Sequence, residues 1–68
     1  MIPLDKQKMA DKLRTLRGAK SQAEVARDLG IPATTYNSYE LGERIPRDDL
    51  KVRIANYYSR SVKYIFFE

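Results

Sequence analysis

Ala33, Thr34, Asn37 and Ser38 stand at i, i+1, i+4 and i+5, the spacing that gathers side chains onto one face of a helix. What they offer is hydrogen bonding rather than bond making. The Asn37 amide sets a donor beside an acceptor, a match for an adenine edge or for a phosphate oxygen. The hydroxyls of Thr34 and Ser38 donate or accept with several partners, and the Ala33 methyl suits a small apolar contact such as a thymine methyl. An ordinary polar helix surface is the plain alternative. Groups that could catalyse are scarce. The chain has no Cys and no His, which removes disulfides, zinc fingers and Cys- or His-based catalysis. There is no Gly-rich phosphate loop, and the one adjacent acid pair, Asp48-Asp49, reads better as the first turn of a helix. The expectation is therefore no enzyme, no cofactor, no metal and no small-molecule ligand.

Positioning four such groups takes a scaffold, and 68 residues suffice for one domain near the lower size limit. The net charge of +4 suits a polyanionic partner, although acids and bases are well mixed and ordinary surface charge explains it equally. The longest apolar run, Ile65-Phe66-Phe67, is too short to span a membrane. Asp5 and Lys6 near the start do not fit a signal peptide, and the absence of Cys fits a reducing cytoplasm. No repeat, linker or low-complexity segment is visible.

Five helical signals follow in order. Residues 1–4 read as a loose start. Asp5 is a good N-cap, with Leu4 and Met9 placed as a hydrophobic staple. Met9, Leu13 and Leu16 repeat on one apolar face until Gly18. Lys6, Lys8, Lys12 and Arg14 lie on the other sides, where they either meet phosphates or are simply solvated. Ser21 and Glu24 form an S-x-x-E capping box for a second helix, striped by Val25 and Leu29 with the small Ala26 beside them, and closed by Gly30. Lys20, just before that helix, opposes its dipole but would help a phosphate dock. Pro32 suits the first turn of a third helix running to about Leu41, with Gly42 as its stop and Tyr36 and Tyr39 on its buried side. Leu50-Lys51-Val52-Arg53-Ile54 alternates like a strand, but no second strand exists to pair with it. Leu50, Ile54, Tyr57 and Tyr58 also fit a helix, which we place at about 47–58. Ser61 caps a short last helix, Val62–Phe67. The core predicted from these faces is Met9, Leu13, Leu16, Val25, Ala26, Leu29, Tyr36, Leu50, Ile54, Tyr58, Val62, Ile65 and Phe66.

Two short helices joined around a Gly fit a helix-turn-helix. The run S-Q-A-E-V-A-R-D-L-G-I-P…Y-N-S-Y-E-L-G-E-R-I-P resembles the Cro/C1-type (XRE-like) helix-turn-helix domains of phage repressors and bacterial regulators, over nearly the whole chain. The resemblance implies an all-α, compact five-helix lambda-repressor-like fold. It implies one domain over residues 1–68 with its helix-turn-helix core at 21–42. It implies a transcription regulator, in the first instance a repressor, with recognition helix 32–41 in the major groove of double-stranded DNA. Ala33, Thr34, Asn37 and Ser38 would then face bases. Ser21, Gln22, Thr35, Arg44 and Arg47 would contact phosphates, and Arg17 would pair with Glu40 to tie the first helix to the third; two independent surface charges are the alternative there. This face lacks the Arg and Gln that family members often carry, so DNA shape and water should share in the readout. One small domain also implies a homodimer on a palindromic operator, in the cytoplasm and associated with the nucleoid. Tyr57, Tyr64 and Phe67 could supply the dimer face, or be routinely exposed aromatics. The rival reading is a protein-interaction module on the same scaffold, such as an antitoxin whose main partner is a toxin.

Overall fold

Asp5 starts the first helix, α1 (Lys6–Arg17), by accepting hydrogen bonds from the amides of Gln7 at 2.9 Å and Lys8 at 3.1 Å. The computed structural model describes residues 4–68, so the loose start expected for residues 1–4 lies, for the first three, outside the described residues. Four further helices follow: α2 (Gln22–Leu29), α3 (Ala33–Glu40), α4 (Asp48–Tyr57) and α5 (Val62–Phe66), with no strand among the described residues. The alternating stretch around Val52 is thus helical. α4 buries Leu50, Ile54 and Ala55 at i, i+4 and i+5 and leaves Val52 exposed. Without a second strand, only the helix satisfies those backbone groups.

The packing pairs are α2 with α3, α1 with α3, α1 with α5, α4 with α5 and α2 with α4. Their shared core is Met9, Leu13, Val25, Ala26, Leu29, Tyr36, Tyr39, Leu50, Ile54, Ala55, Ile65 and Phe66. Each fully buried Leu, Ile or Met contributes about 1.5–3 kcal/mol through apolar surface removed from water. Leu16, Tyr58 and Val62, expected in the core, are only half-buried against it. Leu16 sits in the last turn of α1, where the chain turns away at Gly18, and Tyr58 follows the last residue of α4. Ala10, Tyr39 and Ala55 are buried in addition.

Several helix ends differ in detail from the sequence reading. Pro32 lies outside α3, as its N-cap residue, with φ −63° and ψ 145°. The proline ring sets the same φ inside and outside a helix, so only ψ separates the two placements. Only half of the capping box forms among the described residues: Ser21 Oγ accepts from the Glu24 amide at 3.0 Å, and no bond returns from Glu24. Ser61 Oγ likewise accepts from the Tyr64 amide at 3.0 Å to start α5, which stops one residue short of Phe67.

Candidate nucleic-acid interface

The α2–α3 corner is built by backbone bonds. Gly30 takes the left-handed conformation (φ 73°, ψ 32°), its amide donates to the Arg27 carbonyl at 3.1 Å, and the Ile31 amide reaches back to the Ala26 carbonyl at 3.0 Å. This paired closure ends α2 and redirects the chain into Pro32. Ala26 is buried where α2 packs on α3, and its single methyl permits the close approach.

α3 divides into two faces. Tyr36, Tyr39 and Glu40 are buried, whereas Ala33 and Thr34 are exposed and Thr35, Asn37 and Ser38 half-exposed. Among the described residues no hydrogen bond engages the Asn37 amide, so its donor and acceptor are both available. Ser38 is more committed: its hydroxyl donates to the Thr35 carbonyl at 2.6 Å and keeps only its accepting capacity. No side chain caps the start of α3, where the Thr35 and Tyr36 amides both bond to the Pro32 carbonyl at 3.1 Å.

The buried face is held in place by directional bonds. Glu40 is 1% exposed. Arg17 forks onto it, Nε to Oε2 at 2.7 Å and Nη2 to Oε1 at 3.1 Å, while Gln22 Nε2 donates to Oε1 at 2.9 Å. Arg17 also donates to the Lys20 carbonyl at 2.6 Å, and Arg14 donates to the backbone carbonyl of Glu40. Burial pushes the Glu40 carboxyl upward, but hydrogen bonds from Arg17 and Gln22 outweigh it and hold the group below the ordinary carboxylate range. The same bond to Glu40 raises Arg17. Behind the helix, the Tyr36 and Tyr58 hydroxyls meet at 2.6 Å, and burial first, then that bond, lifts the Tyr36 phenol far above its normal value. Tyr36 is therefore neutral at any physiological pH. Gly42 completes the joint, because a Cβ there would lie 3.3 Å from the Lys6 carbonyl oxygen in addition to facing φ 73°.

Of the residues singled out for phosphate contact, Ser21, Arg44 and Arg47 are exposed and Gln22 and Thr35 half-exposed. Ser21 is occupied as the α2 cap, and Gln22 has one amide hydrogen engaged by Glu40. Arg47 lies 3.9 Å from Asp49 with both side chains mostly in solvent, a contact of negligible strength that leaves the guanidinium free. Lys20 does not stand free before α2. Its ammonium donates to the Tyr57 hydroxyl at 2.9 Å, which in turn donates to Asp28 at 2.7 Å.

A helix-turn-helix family model matches residues 8–65. The chain belongs to the Cro/C1-type helix-turn-helix family. The solution structure of the SOS-response transcriptional repressor LexA from Eubacterium rectale is similar over 100% of this chain and 76% of that one, with a TM-score of 0.83 and 26% sequence identity. Among curated proteins no sequence matches closely enough to carry weight. The family and this structural likeness make the chain a DNA-binding transcription regulator. No helix among the described residues is long and apolar enough to cross a membrane.

In this Cro/C1-type regulator, sequence reasoning missed three supports of the α2–α3 pair. They are the Arg14 bond to a backbone carbonyl, the Gln22 bond to Glu40, and the Lys20–Tyr57–Asp28 chain. The first could not be read because any carbonyl can accept. The last joins residues up to 37 positions apart with no local pattern. For Gln22 a hint existed: a half-amphipathic amide opens α2, the helix that packs on the one bearing Glu40.

Proposed function

We propose that this regulator is a sequence-specific repressor, formed by residues 1–68 as one domain around the 21–42 core, that binds double-stranded DNA with α3 in the major groove. Ala33, Thr34, Asn37 and Ser38 face base edges, with Asn37 the strongest reader because a bidentate amide pairs with adenine. Ser38 contributes as an acceptor, and Ala33 by apolar contact. Ser21, Gln22, Thr35, Arg44 and Arg47 hold phosphates on either side and set the register without reading sequence. Two copies on a palindromic operator supply the affinity that one small domain lacks. The protein acts in the cytoplasm, on the nucleoid, without catalysis.

The observation supporting this reading is the asymmetry of α3. Its inner face is buried and bonded, whereas its outer face leaves the Asn37 amide and the Thr34 hydroxyl open. Selection of bound sequences from random duplex DNA tests it: an enriched palindromic motif is the expected result, and no enrichment rejects the reading. Asn37→Ala is expected to relax preference at one base position by about 1–3 kcal/mol. An unchanged motif removes Asn37 from the readout. Arg47→Ala is expected instead to weaken all sequences alike and to flatten the salt dependence by about one unit, since one fewer counterion is released. Equal slopes for variant and parent count against that contact.

A further inference from the structure

Glu40 carries more bonds than a salt bridge with Arg17 requires. Two of its donors come from the guanidinium, and the third is the Gln22 amide at 2.9 Å. Gln22 is the first residue of α2, whereas Glu40 is the last of α3. A carboxylate accepts only, so the NH2 side of the amide must face Glu40, and the usual ambiguity of an amide's orientation vanishes. A primary amide is planar. Holding one N–H on Glu40 therefore leaves the other N–H and the carbonyl little freedom beyond rotation about that bond. Gln22 is half-exposed at the start of α2, and among the described residues no hydrogen bond engages its second amide N–H or its carbonyl.

We propose that Glu40 is a positioning residue for DNA binding: its carboxylate holds Gln22 so that the second amide N–H of Gln22 is presented to a DNA phosphate at the start of α2. This rests on the reading of the chain as a DNA-binding protein with Gln22 among its phosphate contacts. A glutamine recruited from free solution loses most of its rotamer freedom when it grips an oxygen. One already held by Glu40 does not. Because Glu40 belongs to α3, the same carboxylate keeps the phosphate grip of α2 in register with the base-facing side of α3.

A thermodynamic cycle on the selected duplex tests this. Gln22→Ala removes the contact, and Arg17→Met with Glu40→Leu removes the carboxylate without leaving an orphaned buried charge, an exchange that such pairs often tolerate. Gln22→Ala is expected to weaken binding about tenfold, as for one hydrogen bond to a charged oxygen, with the salt slope unchanged because no cation is lost. The paired Arg17→Met, Glu40→Leu change is expected to weaken it roughly fivefold through the freed side chain. Adding Gln22→Ala to that pair should then give a total loss no greater than about tenfold, since Glu40 acts through Gln22. A total near the product of the two separate losses overturns the proposal. NMR of the parent protein tests the pinning directly: the Gln22 side-chain amide protons should be shifted and slow to exchange. Solvent-like signals overturn the proposal even if the double change unfolds the chain. If the parent binds no DNA while those signals are shifted, the pinning stands but the DNA-binding reading fails, and the proposed role of Glu40 with it.

Discussion

The joint between α1 and the end of α3 and the joint between α4 and α5 secure short helices by opposite means. At the first, a buried carboxylate gathers Arg17 and Gln22, Arg14 holds the adjoining carbonyl, and Gly42 brings two backbones into contact. At the second, Ser59 turns the corner with φ 57°, a left-handed conformation costly for a residue with a Cβ. There α5 is fixed by Ile65 and Phe66 in the core and by two half-buried lysines. Lys12 donates to the carbonyls of Tyr64 at 2.5 Å and Glu68 at 2.8 Å, and Lys51 lies 5.3 Å from the Phe67 ring centre. Apolar burial fixes where a helix sits but is indifferent to small rotations about its axis. Hydrogen bonds to a buried charge are directional, and they are found on α3, the helix whose outer face we propose reads DNA.

The contrast is most exposed at Arg17. Arg17→Ala leaves Glu40 buried without a cation, and is expected to lower unfolding stability by about 3 kcal/mol, the lower end for a broken buried pair because Arg17 itself is 22% exposed and Gln22 still donates to the carboxylate. Urea denaturation measures this, and a loss below about 1 kcal/mol would erase the distinction between the joints.

Acid sharpens the same point. Glu40 is held below its ordinary value, so its stabilising contribution is complete above the unfolded carboxylate range, near pH 4.3, and disappears as pH falls through its lower folded value. In Arg17→Ala the lowering effect of the guanidinium is gone and only Gln22 and Tyr36 still oppose burial, so the group moves upward from its value in the parent. The stability gap between parent and variant is therefore expected to narrow between pH 7 and pH 4, and a constant gap would mean that Glu40 is not the group responsible. The smallest effect lies at the other joint. Ser59→Gly relieves the left-handed strain against a more flexible unfolded chain, for a net gain of about 0.5 kcal/mol and a Tm higher by roughly 2–4 °C. A fall in Tm would show that the serine side chain contributes more to that corner than its backbone costs.

The helices themselves were legible because their starts and stops are local. Asp5, Ser21 and Ser61 cap through bonds to amides two or three residues on, and Gly18, Gly30 and Gly42 all have positive φ. Helical spacing likewise separates Ala33, Thr34, Asn37 and Ser38 from Tyr36 and Tyr39, the two tyrosines that are buried. The misread details are those set by neighbours in space. Whether Pro32 falls inside or outside α3 turns on one ψ angle, and the commitment of Ser38 to Thr35 depends on a rotamer. Gln22 is expected only as a phosphate contact, and its bond to Glu40 emerges once α3 sets that carboxylate beside it. Of the aromatics expected near the C-terminal end, Tyr64 and Phe67 are exposed and Tyr57 is half-buried.

The outer side chains at positions 33, 34 and 37 have no hydrogen-bonding partner among the described residues, so no hydrogen bond of the fold depends on their identity. New residues can be written there without rebuilding the molecule, provided Tyr36, Tyr39, Glu40 and Gly42 are kept. With the proposed readout by this face, a single scaffold of this kind serves many different addresses.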